Sequence, residues 1–222
     1  MFKKLIITAI SAALIASAAF ADSTNVGFRI SAGNLAASGT ENTNLSGTDV
    51  AQAEKDANFE MASFFVERQI ETSDKFNIVV GLDYVPITAD VASLGGSTGF
   101  NAKVSAGNLW TAYVQPTFIV NDTISLFGKV GFSSGDLEIT EISRQATTAG
   151  TASTDAAQDK TLEGTMYGIG AQMNRATGPF DFIRLEATQT DFDKITHTNS
   201  NSKKLTADAE MQLITLSIGK SF

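Results

Sequence analysis

The chain has 222 residues, with 24 acidic and 16 basic side chains, no cysteine and a single histidine. A net charge of -8 without any basic run excludes a nucleic-acid binder. The lack of cysteine excludes disulfides, thiol catalysis and thiolate metal sites.

In chain order, the first element is an export signal. Lys3 and Lys4 form a positive start, Leu5 to Ala18 an apolar stretch, and Ala19-Phe20-Ala21 a small-x-small cleavage site, the pattern of a cleaved signal peptide over residues 1–21. A membrane-anchor helix is disfavoured, because the apolar run is short and meets the polar Asp22-Ser23-Thr24-Asn25 at once. The expected mature domain, residues 22–222, keeps 14 basic against 24 acidic residues, a charge of -10. It has no apolar run near the roughly 18 residues of a helical membrane span, and no cofactor is implied.

Period-two alternation recurs through the mature chain, whereas spacing at i, i+3, i+4, i+7 is absent, so the domain is expected to be all-β. Eight strands are predicted, over 25–35, 58–70, 75–87, 108–120, 123–133, 162–174, 180–191 and 210–222, each about as long as a tilted membrane-crossing strand. Tight turns are expected at Ser73-Asp74, Asn121-Asp122 and Ala176-Thr177-Gly178-Pro179, and long polar connections over 36–57, 88–107, 134–161 and 192–209. Short turns at one end and long connections at the other are the pattern of an outer-membrane barrel. The expected fold is therefore an eight-stranded antiparallel up-and-down transmembrane β-barrel, with its first and last strands paired to remove any free edge.

The two faces of each strand indicate their solvents. In the fourth strand Trp110, Ala112, Val114, Pro116, Phe118 and Val120 alternate with Thr111, Tyr113, Gln115, Thr117 and Ile119. Val80, Leu82 and Leu126 fall on the matching apolar faces of the third and fifth strands, Gly81 and Lys129 on the other. An apolar face with aromatics towards its ends fits lipid, and a polar, glycine-rich face fits a narrow lumen. A soluble lipocalin-like barrel would need the reverse arrangement. The same parity turns Arg29, Glu67, Asp83, Lys129, Arg184 and Glu186 inward. Three cations and three anions cancel there, as a tight interior requires, and an Arg29–Glu67 contact reinforced by Arg184 and Glu186 is expected to close the lumen.

The last ten residues, Leu213-Ile214-Thr215-Leu216-Ser217-Ile218-Gly219-Lys220-Ser221-Phe222, alternate and end on Phe. They resemble the terminal-strand signal by which bacterial barrels reach the outer-membrane assembly machinery, a role that falls here to Leu216, Ile218 and Phe222. Gly168-Ile169-Gly170-Ala171-Gln172 with Phe182-Ile183-Arg184-Leu185-Glu186 resembles the penultimate hairpin of the OmpA and opacity-type eight-stranded barrels. Gln115-Pro116-Thr117-Phe118 with Leu126-Phe127-Gly128-Lys129-Val130-Gly131 resembles the central hairpin of that family. The similarity covers the C-terminal half. It implies a barrel in the bacterial outer membrane, in contact with membrane lipids and lipopolysaccharide, helped by assembly machinery and periplasmic chaperones, and monomeric. Lys220 departs from the usual aromatic or aliphatic residue and is placed to snorkel towards Asp181. With nothing after Phe222 to match a peptidoglycan-binding domain, no cell-wall tether is expected.

Little catalytic chemistry is present. His197 lies among Asn199, Ser200, Asn201 and Ser202, which reads as a solvated loop histidine rather than one member of a rigid triad. The acidic residues Asp136, Glu138, Glu141, Asp155 and Asp159 are too dispersed for a calcium loop, so no metal site and no catalytic residue is assigned. Residues 147–157 form a low-complexity tract, and Gly168-Ile169-Gly170 lacks the third glycine and the helix of a nucleotide loop. The expected function is a non-enzymatic outer-membrane barrel with a structural and surface-interaction role. The alternative is a narrow porin-like channel for ions or small solutes, and a lipid-modifying enzyme ranks third.

Overall fold

The computed structural model describes residues 23–42, 50–86, 89–95, 100–144, 158–175, 178–198 and 204–222. The expected signal peptide and the 147–157 tract lie outside the described residues. Ten strands build one sheet: β1 (Ser23–Asn42), β2 (Val50–Ser73), β3 (Phe76–Val85), β4 (Ala89–Gly95), β5 (Phe100–Ile119), β6 (Ile124–Arg144), β7 (Gln158–Asn174), β8 (Phe182–Phe192), β9 (Ile195–Thr198) and β10 (Lys204–Ser221). β3 and β4 both pair with β5, and β8 and β9 both pair with β10, so each couple is one interrupted barrel strand. The sheet closes where β1 meets β10, from Asn25 opposite Ser221 to Glu41 opposite Leu205. The result is a closed eight-stranded antiparallel barrel.

The registers fix its shape. A path across the strands from Val26 through Val66, Leu82, Ala112, Phe132, Thr165, Asp191 and Glu210 returns to β1 at Ala36, ten residues above its start. In a barrel of eight strands that stagger corresponds to a strand tilt of about 40° and an interior just wide enough for side chains.

Among the described residues, the four connections expected as loops are largely strand. β1 and β2 stay paired up to Asn42 and Val50, and β6 and β7 up to Ile139 and Gln158. The 24 residues of β2 extend about 80 Å along the strand, or about 60 Å along the barrel axis at that tilt. The apolar band of such a barrel is only about 25 Å tall, so the hairpins continue well beyond the membrane. His197, expected in a loop, lies in β9 opposite Leu205. At the irregularity between Gly107 and Trp110 in the β5–β6 pairing, Asn108 takes a left-handed φ of 50°, which Asn tolerates better than most residues. Its side chain donates to Asp136 at 2.8 Å and accepts from the Tyr84 hydroxyl at 3.0 Å.

The outer wall is apolar. Val26, Ile30, Phe64, Val66, Leu126, Val130, Ile169, Leu185, Ile214 and Leu216 are exposed there, and Phe76, Phe118, Phe180 and Phe222 edge the short-turn end, with Tyr84 and Tyr167 higher up. An apolar belt bounded by aromatics is the lipid-facing surface of an outer-membrane barrel. Val80 also faces outward but is only 7% exposed, because Ile70, Ile78, Leu82, Ala112 and Val114 pack around it.

Candidate functional site: the charged lumen

Among the charges, inward glycines seat aromatic rings. Gly27 lies opposite Phe65, Gly81 opposite Tyr113, Gly170 opposite Phe127 and Gly219 opposite Phe182. A Cβ on any of the four would come within 2.2–2.4 Å of the facing ring, so each ring lies over backbone that only glycine leaves bare. We expect Gly81→Ala to displace the Tyr113 ring and destabilise the barrel by about 1–3 kcal/mol through overpacking; unchanged unfolding in lipid vesicles would contradict that.

The seated rings surround the cations. Arg29 lies 4.5 Å from the Phe65 ring centre and 5.3 Å from that of Tyr113, Lys129 4.5 Å from Tyr113, and Arg184 5.0 Å from Phe182 and 5.3 Å from Phe127. The opposite sides of these cations meet carboxylates. Arg184 forms a fork with Glu67, Nη1 donating to Oε1 at 2.6 Å and Nη2 to Oε2 at 3.0 Å. Arg29 reaches three carboxylates: Asp83 at 2.5 Å, Glu67 at 3.2 Å and Glu186 at 3.4 Å. Lys129 donates to Glu186. The structure therefore brings all six inward charges into one connected group, and Arg29, Glu67, Lys129, Arg184 and Glu186 are buried.

Two members of the group carry no charge. Tyr113 donates to Glu67 at 2.5 Å and accepts from Arg29 Nη2 at 2.7 Å, which makes it a neutral bridge between that guanidinium and that carboxylate. Gln172 accepts from Arg184 at 2.8 Å. Strand parity already turned Tyr113 inward, and the signal for its role was Gly81 at the matching position on the neighbouring strand. The principal partner also differs from expectation: the bidentate grip on Glu67 belongs to Arg184, and the shortest contact of Arg29 is with Asp83.

Above the charges lies a layer of hydroxyls, with buried Ser31 bonded to Thr215 at 2.7 Å and half-buried Thr111 to Ser133 at 2.8 Å. An apolar cap follows. Leu162, Phe192, Met211 and Leu213 are buried against Leu35, Phe59, Met61 and Leu109. The polar, glycine-rich lumen read from the sequence thus holds for the lower and middle levels only. The void among charges, hydroxyls and cap is about 40 Å³, room for a few water molecules. Among the described residues no group of three or more His, Cys, Asp or Glu could hold a metal ion.

At the short-turn end Asp181 accepts from the Ser221 backbone N–H at 2.8 Å and from Lys220 at 3.2 Å. These two donors, the backbone one first, hold its carboxyl below the ordinary carboxylate range. The Ser221 hydroxyl donates to Asn25 on β1 at 2.7 Å, and Phe222 exchanges two 2.9 Å backbone hydrogen bonds with Thr24. Leu216 and Ile218 face outward on the same strand as Phe222, whose side chain is 73% exposed. Deleting Phe222 is expected to leave the chain in the periplasm or degraded while barely changing the stability of barrel refolded in lipid, because an exposed ring adds little burial. Outer-membrane yield at the normal level would refute a role for it in assembly.

Among solved structures, the chain is similar in fold to the attachment invasion locus protein Ail of Yersinia pestis, at 12% identity with 88% of this chain and 97% of that one covered and a TM-score of 0.37. It is also similar to the outer membrane protease OmpT of Escherichia coli, at 10% identity, 89% and 97% coverage and a TM-score of 0.47. Neisserial surface protein A shows 11% identity, 88% and 97% coverage and a TM-score of 0.37. No curated protein matches the chain. Residues 7–222 match the outer membrane protein beta-barrel domain, and with a closed eight-stranded barrel, an apolar outer belt and a charged interior, the chain belongs to that family of the bacterial outer membrane.

Proposed function

We propose that the chain is exported by cleavage of residues 1–21 and serves as a non-enzymatic, monomeric structural barrel of the outer membrane, closed at rest, that presents its extended hairpins outside. The observation that carries this reading is the connected group of six charges beneath an apolar cap. An ion crossing the lumen would have to break buried, paired charges and then wet an apolar constriction, and each step is costly. The membrane partners are lipids and lipopolysaccharide around the wall, with assembly machinery and periplasmic chaperones acting only during biogenesis.

Conductance of the purified chain in a planar bilayer is the test. The expected result is no steady current, and a steady, large current would establish the narrow-channel alternative instead. For the enzymatic alternative, His197→Ala is expected to leave the lipid A mass profile unchanged.

A further inference from the structure

The outer wall carries a depression across five neighbouring strands, β2, β1, β10, β8 and β7, with a volume of about 1160 Å³. It opens outward, since Ile169, Ile214 and Tyr167 in its lining are 71%, 58% and 45% exposed. The strand registers order its floor and its upper edge. Glu60, Ala32, Ile214, Ala187 and Ile169 form one outward row, and Asn58, Asn34, Gln212, Gln189 and Tyr167 the next row above. The two alanines make the hollow, because their neighbours on either side are larger. The upper row is four amides and a tyrosine with no charge. Asn34 donates to Asn58 at 3.2 Å, Gln189 to Asp191 at 2.9 Å and Gln212 to Glu210 at 2.7 Å, which leaves the amide oxygens of Gln189 and Gln212 without a protein donor among these contacts.

The height of that row at Asn34 is set by β1. From Thr24, beside the terminal Phe222, to Asn34 is ten residues of β1, about 33 Å along the strand and about 25 Å along the axis at a tilt of about 40°. This is the height of the apolar band of an outer-membrane barrel. Asn34 therefore stands where acyl chains join their headgroups. The tilt lowers the row by about 3 Å per strand towards β7, so Gln212 and Gln189 stand about 3 Å and about 6 Å deeper, at the top of the acyl region, and the hollow beneath them is continuous with the lipid-facing belt.

We infer that this depression is a docking site for one lipid of the outer leaflet, its acyl chains in the hollow and its uncharged linkage against the amide row. Membership of the membrane family is the only earlier conclusion the inference needs. An ester or amide linkage, or a hydroxyl on the chain, offers both donors and acceptors to Asn34, Asn58, Gln189 and Gln212. Phosphate is not what the row recognises, since the flanking outward charges are the carboxylates of Glu60, Asp191 and Glu210, which repel an anion.

The test uses the mature chain folded in a neutral detergent, with dimyristoylphosphatidylcholine and dimyristoylglycerol as separate probes and bound lipid read by native mass spectrometry. The unmodified barrel is expected to retain one molecule of either probe. Ala32→Phe with Ala187→Phe fills the hollow and is expected to lower retention at least about tenfold, or 1.4 kcal/mol. Gln189→Ala with Gln212→Ala, two surface changes that leave the barrel folded by circular dichroism, is expected to weaken both probes alike. Leu126→Phe, on β6 away from the depression, is expected to change nothing. Retention that survives both double variants overturns the site, as does retention of phosphatidylcholine alone, which would make phosphate the recognised group. Dimers that vanish on filling the hollow would also overturn it, by showing that a second copy covers this wall. None of these outcomes alters the conductance result, so the two readings fail separately.

Discussion

Glu67→Ala is expected to destabilise the barrel by about 3–5 kcal/mol, because it leaves buried guanidinium groups without a counter-charge. Glu67 is the common partner of Arg184, Arg29 and Tyr113, so its removal disturbs more of the lumen than removal of any other carboxylate in the group. Arg29 keeps Asp83 and Glu186 after the change, whereas Arg184 keeps only the neutral Gln172 among its polar contacts. A double-mutant cycle should therefore give a larger coupling for Glu67 with Arg184 than for Glu67 with Arg29, and Glu67→Ala/Arg184→Ala should recover part of the lost stability. Reversible urea unfolding in lipid vesicles is the measurement. A cost below about 1 kcal/mol for Glu67→Ala, the range of solvated pairs, would show that water screens the group.

Val130→Arg is expected to cost about 2–4 kcal/mol by the same measurement, the range for a cation on the lipid face near the bilayer midplane, whereas Leu126→Arg, opposite Phe118 at the short-turn edge, is expected to cost only about 0–1 kcal/mol. Val130 is 54% exposed on the outer wall, so its penalty arises from lipid contact with little loss of packing. Leu82→Arg and Val114→Arg belong to the same class. Val80→Arg is expected to exceed them, since it also disrupts the cluster with Ile78, Leu82 and Val114. Arg at Thr117, a buried lumen position, is limited by space and by the balance of three positive and three negative side chains. Equal costs for Val130→Arg and Leu126→Arg would show that the penalty does not follow depth in the bilayer and that Val130 does not meet lipid.

Strand parity was enough to turn Arg29, Glu67, Asp83, Lys129, Arg184 and Glu186 to one side, because a period of two leaves each side chain only two choices. Their pairing was legible only in part: the expected Arg29–Glu67 contact is there at 3.2 Å, but the bidentate grip of Arg184 on Glu67 and the closer Arg29–Asp83 contact were not. Arg29 stands opposite Ser63 and Ser217 in the ladders, and Glu67 opposite Asn25 and Gly81. Every contact between charges is therefore diagonal or across the bore, and it depends on a stagger that all the registers set jointly. The apolar cap escaped notice for a different reason. Phe59, Met61, Leu162 and Met211 share the inward parity, yet apolar residues at those positions look like strand ends turning towards lipid. The long connections hid their pairing because segments such as Ser38-Gly39-Thr40 and Gln52-Ala53 carry no apolar stripe. There the backbone ladder holds the structure, and it leaves little signature in side-chain pattern.

The seam between β1 and β10 also sets the order in which the molecule can form. Asn25 finds its partner in Ser221, 196 residues further along the chain, and Thr24 in Phe222, so β1 cannot complete its pairing until that distant segment is present. Contacts of such sequence separation carry the full entropy of closing the chain on itself before they return any stabilisation. A half-made barrel would expose two unpaired sheet edges and an apolar wall to water, the surface that drives aggregation. Folding during synthesis is thereby disfavoured by topology alone. Closure of the ring is therefore a late event, and at the short-turn end Ser221 ties the seam on both sides, to Asp181 and to Asn25.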